Sequence, residues 1–130
     1  MDVPMQALIV RDPWIDMILS GEKTWEMRSR PTTKRGRVAL VRKGSGLVCG
    51  TVDLLGAEPK LRPEQLAATR GRHRIPEELF DDVARDGWLI PWALANVRRL
   101  KAPVPYRHRP GAVVWVSLEP EVVQQIEFLQ

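Results

Sequence analysis

Met17-Ile18-Leu19-Ser20-Gly21-Glu22-Lys23-Thr24-Trp25-Glu26-Met27-Arg28 is the stretch on which the reading of the chain turns. It begins as the end of an apolar-faced helix, turns at Gly21 and continues as an alternating segment. Successive side chains on a strand point to opposite faces, so Thr24, Glu26 and Arg28 share one face while Trp25 and Met27 take the other. Lys23 at the strand's start completes a compact group of hydroxyl, carboxylate, guanidinium and ammonium. The expectation is a strand with Trp25 and Met27 in a core and Thr24, Glu26 and Arg28 more exposed. Glu26 would pair with Lys23 or Arg28.

Toward the N-terminus, residues 5–10 are apolar and β-branched at their end, which predicts a first strand. Asp12-Pro13 predicts a helix start, with Asp12 as N-cap and Pro13 at the first helical position. Trp14, Met17 and Ile18 follow at helical spacing, and Gly21 supplies the stop. Toward the C-terminus, the basic loop 31–36 leads to a third strand at 37–42. Gly44-Ser45-Gly46 lacks the lysine and following helix of a phosphate-binding loop, so it predicts a hairpin turn. Residues 47–55 form a longer β run in which Gly50 marks a bulge or a close approach. Pro63 opens a short helix over 63–68. Pro76 opens another, with Leu79, Phe80 and Val83 on one face, ending at Gly87. Residues 92–100 suit either helix or strand, and strand is preferred because they run into Ala102-Pro103-Val104-Pro105-Tyr106. A final strand at 113–118 and a short helix from Pro120 complete an α+β arrangement around a β-barrel.

At 130 residues the chain fits a single domain spanning 1–130, large enough for a core of its own. A hydrophobic fraction of 44% and a charged fraction of 28% are those of an ordinary globule. No apolar run approaches the roughly 20 residues of a membrane helix, so no membrane partner is expected. Met1-Asp2-Val3-Pro4 is acidic and lacks the basic flank and apolar core of a signal peptide, which predicts a cytoplasmic location. The single cysteine, Cys49, lies in an apolar run and is expected as buried filler. With two histidines the chain offers no zinc spacing, so neither metal nor cofactor is expected.

The net charge of +4 is modest, but the basic residues cluster. Arg28, Arg30, Lys34, Arg35, Arg37, Arg42 and Lys43 fall together with no acid among them, and Arg70–Arg74 and Arg107–Arg109 form two further groups. Three such groups on one small domain suggest a shared electropositive face for nucleic acid.

The segment Gly21-Glu22-Lys23-Thr24-Trp25-Glu26-Met27-Arg28 resembles the Gly-x-Lys-Thr-x-Glu-x-Arg signature of the activating-signal-cointegrator homology (ASCH) domain. Gly50-Thr51-Val52 is similar to the family's following strand, and Pro103-Val104-Pro105-Tyr106 with Gly111-Ala112-Val113-Val114-Trp115 is similar to the domain's end. The resemblance implies a PUA-like mixed β-barrel of about five to six strands with short flanking helices. It also implies a cleft for nucleic acid holding Lys23, Glu26 and Arg28. Small bacterial members remove the acyl group from acetylcytidine, and another member is reported to cleave RNA. The amidohydrolases use a lysine of this signature, a threonine three residues later and a glutamate after a later strand. Lys23 matches the lysine, Glu26 stands in the threonine's place, and Glu58 is the nearest candidate for the late glutamate.

A carboxylate flanked by two cations stays ionised and accepts hydrogen bonds from a base's amine or imino N–H. Arg28 offers a planar fork and Lys23 a point charge for phosphate or a base edge. Trp14, Trp88, Trp92 and Tyr106 are candidates to stack an unpaired base, whereas Trp25 and Trp115 read as core. Thr24, Arg72, Arg74 and His108 complete the candidate binding set, with His73 and His108 expected at the surface. If the site is catalytic, Lys23 and Glu26 carry the chemistry, and Glu26 is expected to hold the lysine's pKa up. The predicted partner is RNA, another single-stranded nucleic acid or a nucleoside.

Overall fold

The computed structural model describes residues 4–130, so the acidic start Met1-Asp2-Val3 lies outside the described residues. Six strands run as β1 (Gln6–Val10), β2 (Trp25–Arg28), β3 (Gly36–Arg42), β4 (Leu47–Ala57), β5 (Ile90–Pro105) and β6 (Trp115–Ser117). Four helices accompany them: α1 (Trp14–Leu19), α2 (Arg70–His73), α3 (Phe80–Asp86) and α4 (Pro120–Leu129). The strands form one mixed sheet in the order β2-β5-β4-β3-β1-β6, with only β1 and β3 parallel.

Two long strands make the sheet curl. The β4–β5 ladder shifts register three times along its length, and each bulge adds local bend and twist. The sheet closes to a half-barrel whose edges, β2 and β6, are not bonded to each other. Gly50 lies at one of these shifts, as its position in the sequence predicts. A Cβ there would come within 2.5 Å of Leu19 Cδ2 and 2.6 Å of the Arg98 carbonyl oxygen, so α1 can seat against β4 only over a glycine.

Both faces of β1 and β3 are buried, the usual state of a parallel pair covered on each side. Leu8, Leu40, Val52 and Leu54 pack with Ile15 and Ile18 of α1, and Cys49 fills space in that cluster. Ala7, Val41 and Val48 pack on the other side with Ile126 of α4. A third cluster joins Trp25 and Met27 to Leu61, Leu66, Ile75 and Leu89.

Four local expectations change. Asp12 does not cap α1: Pro13 occupies the N-cap, and the Asp12 carboxylate binds Arg42 instead. Residues 70–74 are a helical turn ended by Arg74 in the left-handed region (φ 62°), not an open loop. The helix expected over 63–68 is one turn of 3-10 helix at Pro63–Gln65. The last strand is only three residues long, because Val113 and Val114 turn into the loop before it. The ambiguous segment is strand, as part of the 16-residue β5. No helix among the described residues is long and apolar enough to cross a membrane.

Candidate functional site

The seam between the two sheet edges is a cavity of about 830 Å³. Glu26, Met27 and Arg28 of β2 form one wall, Ile9 of β1 and Trp115 of β6 another, and Trp14 of α1 and Val83 of α3 close the remaining sides. Arg28 spans the seam. Its Nη2 donates to the Ile9 carbonyl at 2.9 Å and to Glu26 Oε2 at 2.9 Å, while its Nε donates to the same Oε2 at 3.1 Å. One carboxylate oxygen of Glu26 is thus saturated. The other, Oε1, accepts no hydrogen bond among the described residues and lies 3.9 Å from Lys23 Nζ. Lys23 Nζ donates to the His73 carbonyl at 2.6 Å and sits 4.9 Å from the centre of the Trp14 ring.

The burial order expected along β2 fails at Glu26, which is 6% exposed, the same as Met27; Lys23 is 2% exposed. Thr24 is exposed and Arg28 half-buried, so the alternation holds only at the strand's ends. The reason is the curl. The polar face of β2 looks into the half-barrel across to β1, and Arg28 covers it. Burial also reverses the expectation for Lys23. Loss of water around the ammonium outweighs the pull of Glu26, with Arg28 adding repulsion, and the pKa falls from the ordinary 10.5 to about 8.

His73, expected at the surface, is fully buried. Its Nε2 pairs with the Leu66 carbonyl at 2.8 Å, and its Nδ1 accepts from the Ile75 N–H at 2.9 Å. These contacts fix a neutral ring with the proton on Nε2, and burial holds its pKa below the usual histidine value. The ring anchors the α2 turn, and that turn presents the carbonyl that holds Lys23. Sequence gave no sign of this, because residue 73 sits in a run of arginines.

Four tryptophans line the cavity: Trp14, Trp88, Trp92 and Trp115. Trp92 is buried, donates Nε1–H to the Arg30 carbonyl at 2.9 Å, and lies parallel to Trp115 with centroids 5.9 Å apart. Arg28 lies 5.5 Å from the Trp92 ring centre. Trp115, expected as core, is only partly buried and borders the cavity with Lys34 5.1 Å from its ring centre. It belongs to a three-residue edge strand, so it has sheet on one side only. Trp88 is exposed at the mouth. Trp25 is core, as expected.

The remaining sequence candidates stand elsewhere. Thr24 borders a separate cavity of about 120 Å³. Arg72 lies 5.1 Å from the Trp25 ring centre, and Arg74 Nε donates to the Glu22 carbonyl at 3.0 Å; neither lines the large cavity. Tyr106 Oη and His108 Nδ1 bond to each other at 2.7 Å beyond the end of β5, also outside it. Glu58 is exposed just after β4 and is not part of the wall. Sequence reading missed Arg11, which lines the cavity beside Lys43. Both follow strand ends, but only the parallel pairing of β1 with β3 makes them neighbours.

The ASCH domain model matches residues 8–104. Among solved structures, the chain is similar to the crystal structure of ASCH from Zymomonas mobilis, with a TM-score of 0.75 and 16% identity over 98% of this chain and 96% of that one. Two mutant forms of that protein give TM-scores of 0.71 and 0.72, each at 18% identity over 98% of this chain and 99% of theirs. No curated protein matches the chain. At such identities the likeness establishes the fold.

Proposed function

We propose that this chain, which belongs to the ASCH domain family and has its PUA-like fold, binds an unpaired base of RNA or a free nucleoside in the seam between β2 and β6. The observation that carries this reading is Glu26. A buried carboxylate is costly unless its oxygens are paired, and here Arg28 occupies Oε2 while Oε1 has no hydrogen-bond donor among the described residues. An exocyclic amine or imino N–H of a base supplies such a donor. The wide aromatic wall fits the same ligand, since stacking an unpaired base on an indole contributes about 1–3 kcal/mol.

The tryptophans lining the cavity make occupancy visible as a change in intrinsic fluorescence. Glu26→Gln keeps the side chain's shape but replaces an acceptor with an amide. It should weaken binding of the preferred base by about 1–3 kcal/mol and leave affinity for generic phosphate unchanged. Lys23→Ala and Arg28→Ala should also weaken binding. Wild-type affinity in the Gln variant would reject the reading.

A second reading, hydrolysis of a modified nucleoside, is favoured by one observation. Lys23, with a pKa of about 8, holds a fraction of free amine near neutral pH beside a carboxylate. Lys23 and Glu26 would then be the catalytic pair, because Glu58 is not in the wall. The position of a threonine in the amidohydrolase relatives is Glu26 here, so acetylcytidine should bind without release of acetate. For RNA cleavage the two histidines offer no acid–base pair: His73 is sealed in the core and His108 lies outside the cavity. Mass spectrometry of nucleosides and RNA after incubation decides the matter. Turnover, with Glu26→Gln lowering kcat far more than affinity, would replace the base-binding reading.

A further inference from the structure

The acid-free basic run of residues 28–43 is sorted by the fold into occupied and unoccupied cations. Arg28 is bound to Glu26, Arg37 to Asp53, and Arg42 to Asp12 and Asp16. Lys34 lies against the Trp115 ring, and the Arg35 guanidinium covers Gly56. Arg30 and Lys43 remain. Both are exposed, both line the cavity, and neither side chain has an ion pair or hydrogen bond among the described residues. Arg11 has the same three properties.

These three cations come from one end of the sheet. The parallel register pairs Val10 with Arg42, and the Lys43 N–H donates to the Val10 carbonyl at 2.9 Å, which sets Arg11 beside Lys43. Arg30 follows β2, the strand that carries Glu26. The opposite wall has the other sign. On α3, Asp82 and Asp86 both pair with Arg85, at 3.1 and 3.2 Å, and leave that wall one negative charge in excess. A cleft with cations on one rim and net negative charge on the other orients an anionic ligand, because low-dielectric walls concentrate the field.

We infer that Arg11, Arg30 and Lys43 form a phosphate-binding subsite, so that the ligand enters base-first toward Glu26 with its phosphate on the strand-end rim and away from α3. Two arginine forks and a lysine ammonium are suited to phosphate oxygens. The polynucleotide path then leaves the pocket over the ends of β1 and β3, and not past Arg72 and Arg74. This inference rests on the base-binding reading.

The test compares four probes on the intact chain by tryptophan fluorescence and calorimetry: inorganic phosphate, the common ribonucleosides, and their 5′- and 3′-monophosphates. At low salt one monophosphate series should bind about tenfold more tightly than the nucleosides. The Arg11→Ala/Lys43→Ala double variant should lose that advantage while binding nucleosides like wild type, which also shows that it is folded. The Arg72→Ala/Arg74→Ala double variant should keep the advantage. Monophosphates no tighter than nucleosides, or an advantage that survives in the rim variant, overturns the subsite and leaves base binding standing. If inorganic phosphate and monophosphates bind with equal affinity through the rim and nucleosides do not bind, base recognition falls and the subsite survives. Absence of binding by every probe overturns both.

Discussion

Asp12, Asp16 and Arg42 at the start of α1, and Lys23, Glu26 and Arg28 just beyond its end, are both three-charge clusters, and they show how little an ion-pair inventory says without burial. In the first, the side chains of Asp12, Asp16 and Arg42 are 62%, 57% and 26% exposed. In the second, those of Lys23, Glu26 and Arg28 are 1%, 8% and 13% exposed. Water can replace any partner lost from the first. It cannot do so in the second, where Glu26 is the only acid between two buried cations. The exposed cluster is also complete, with both arginine amino groups bound to carboxylates, whereas the buried one retains a free acceptor. A charge group that is buried, and whose valences the protein leaves partly open, is the one to examine for a ligand.

The largest difference should come from deleting each cluster's central or bridging acid. Glu26→Ala leaves Lys23 and Arg28 buried without their counter-charge and should cost about 3–5 kcal/mol in chemical denaturation. Asp12→Ala or Asp16→Ala should each cost below about 1 kcal/mol. Comparable losses at the two sites would erase the distinction drawn between them.

A pH titration should sharpen it next. The Lys23 pKa is about 8 in the folded chain against an ordinary 10.5, so above pH 8 the unfolded chain holds a proton that the folded chain has released. Stability from this group therefore rises between pH 8 and about 10.5, by about 3 kcal/mol in all. Tyr106 works in the opposite direction, since burial raises its pKa, so the measurement is a difference between wild type and Lys23→Met. The Met variant should lack the rise. A flat difference across this window would mean that water reaches Lys23 freely.

Much of this architecture was legible in sequence, and the failures share one cause. The helix stop at Gly21, the glycine under α1 at position 50, the hairpin after Lys43 and the strand around Leu94 depend on local chemistry. Alternation likewise gave the correct face for Trp25 and Met27. It failed at Glu26 because period-2 reasoning assigns faces without saying what each face meets. Here the second face meets the inside of a curled sheet. The same gap hid His73, buried by contacts with Leu66 and Ile75 across a turn, and Arg11, which becomes a neighbour of Lys43 only through a parallel pairing. Trp115 was misassigned to the core because nothing local shows that its strand is a short edge. Lys23, Glu26 and Arg28 were found as a group because they are close in sequence as well as in space.

The smallest effect belongs to the exposed cluster, and salt is the means to isolate it. Arg42 hydrogen-bonds Asp16 and holds its carboxyl below the usual range, so the pair's contribution is present at neutral pH and is lost as pH falls through that lowered value. Its size, below about 1 kcal/mol, follows from the exposure of both partners. At 1 M salt the screening length shrinks to about 3 Å, comparable with the 2.7 Å separating Arg42 Nη2 from Asp16 Oδ1. The difference in stability between wild type and Asp16→Asn should therefore shrink toward zero as salt is raised. Counter-ions cannot enter the space around Lys23 and Glu26 without opening the seam, so the penalty of Glu26→Ala should persist under the same conditions. If both penalties fade together, the seam admits ions in the free protein, and the Lys23–Glu26–Arg28 cluster behaves as a second surface group.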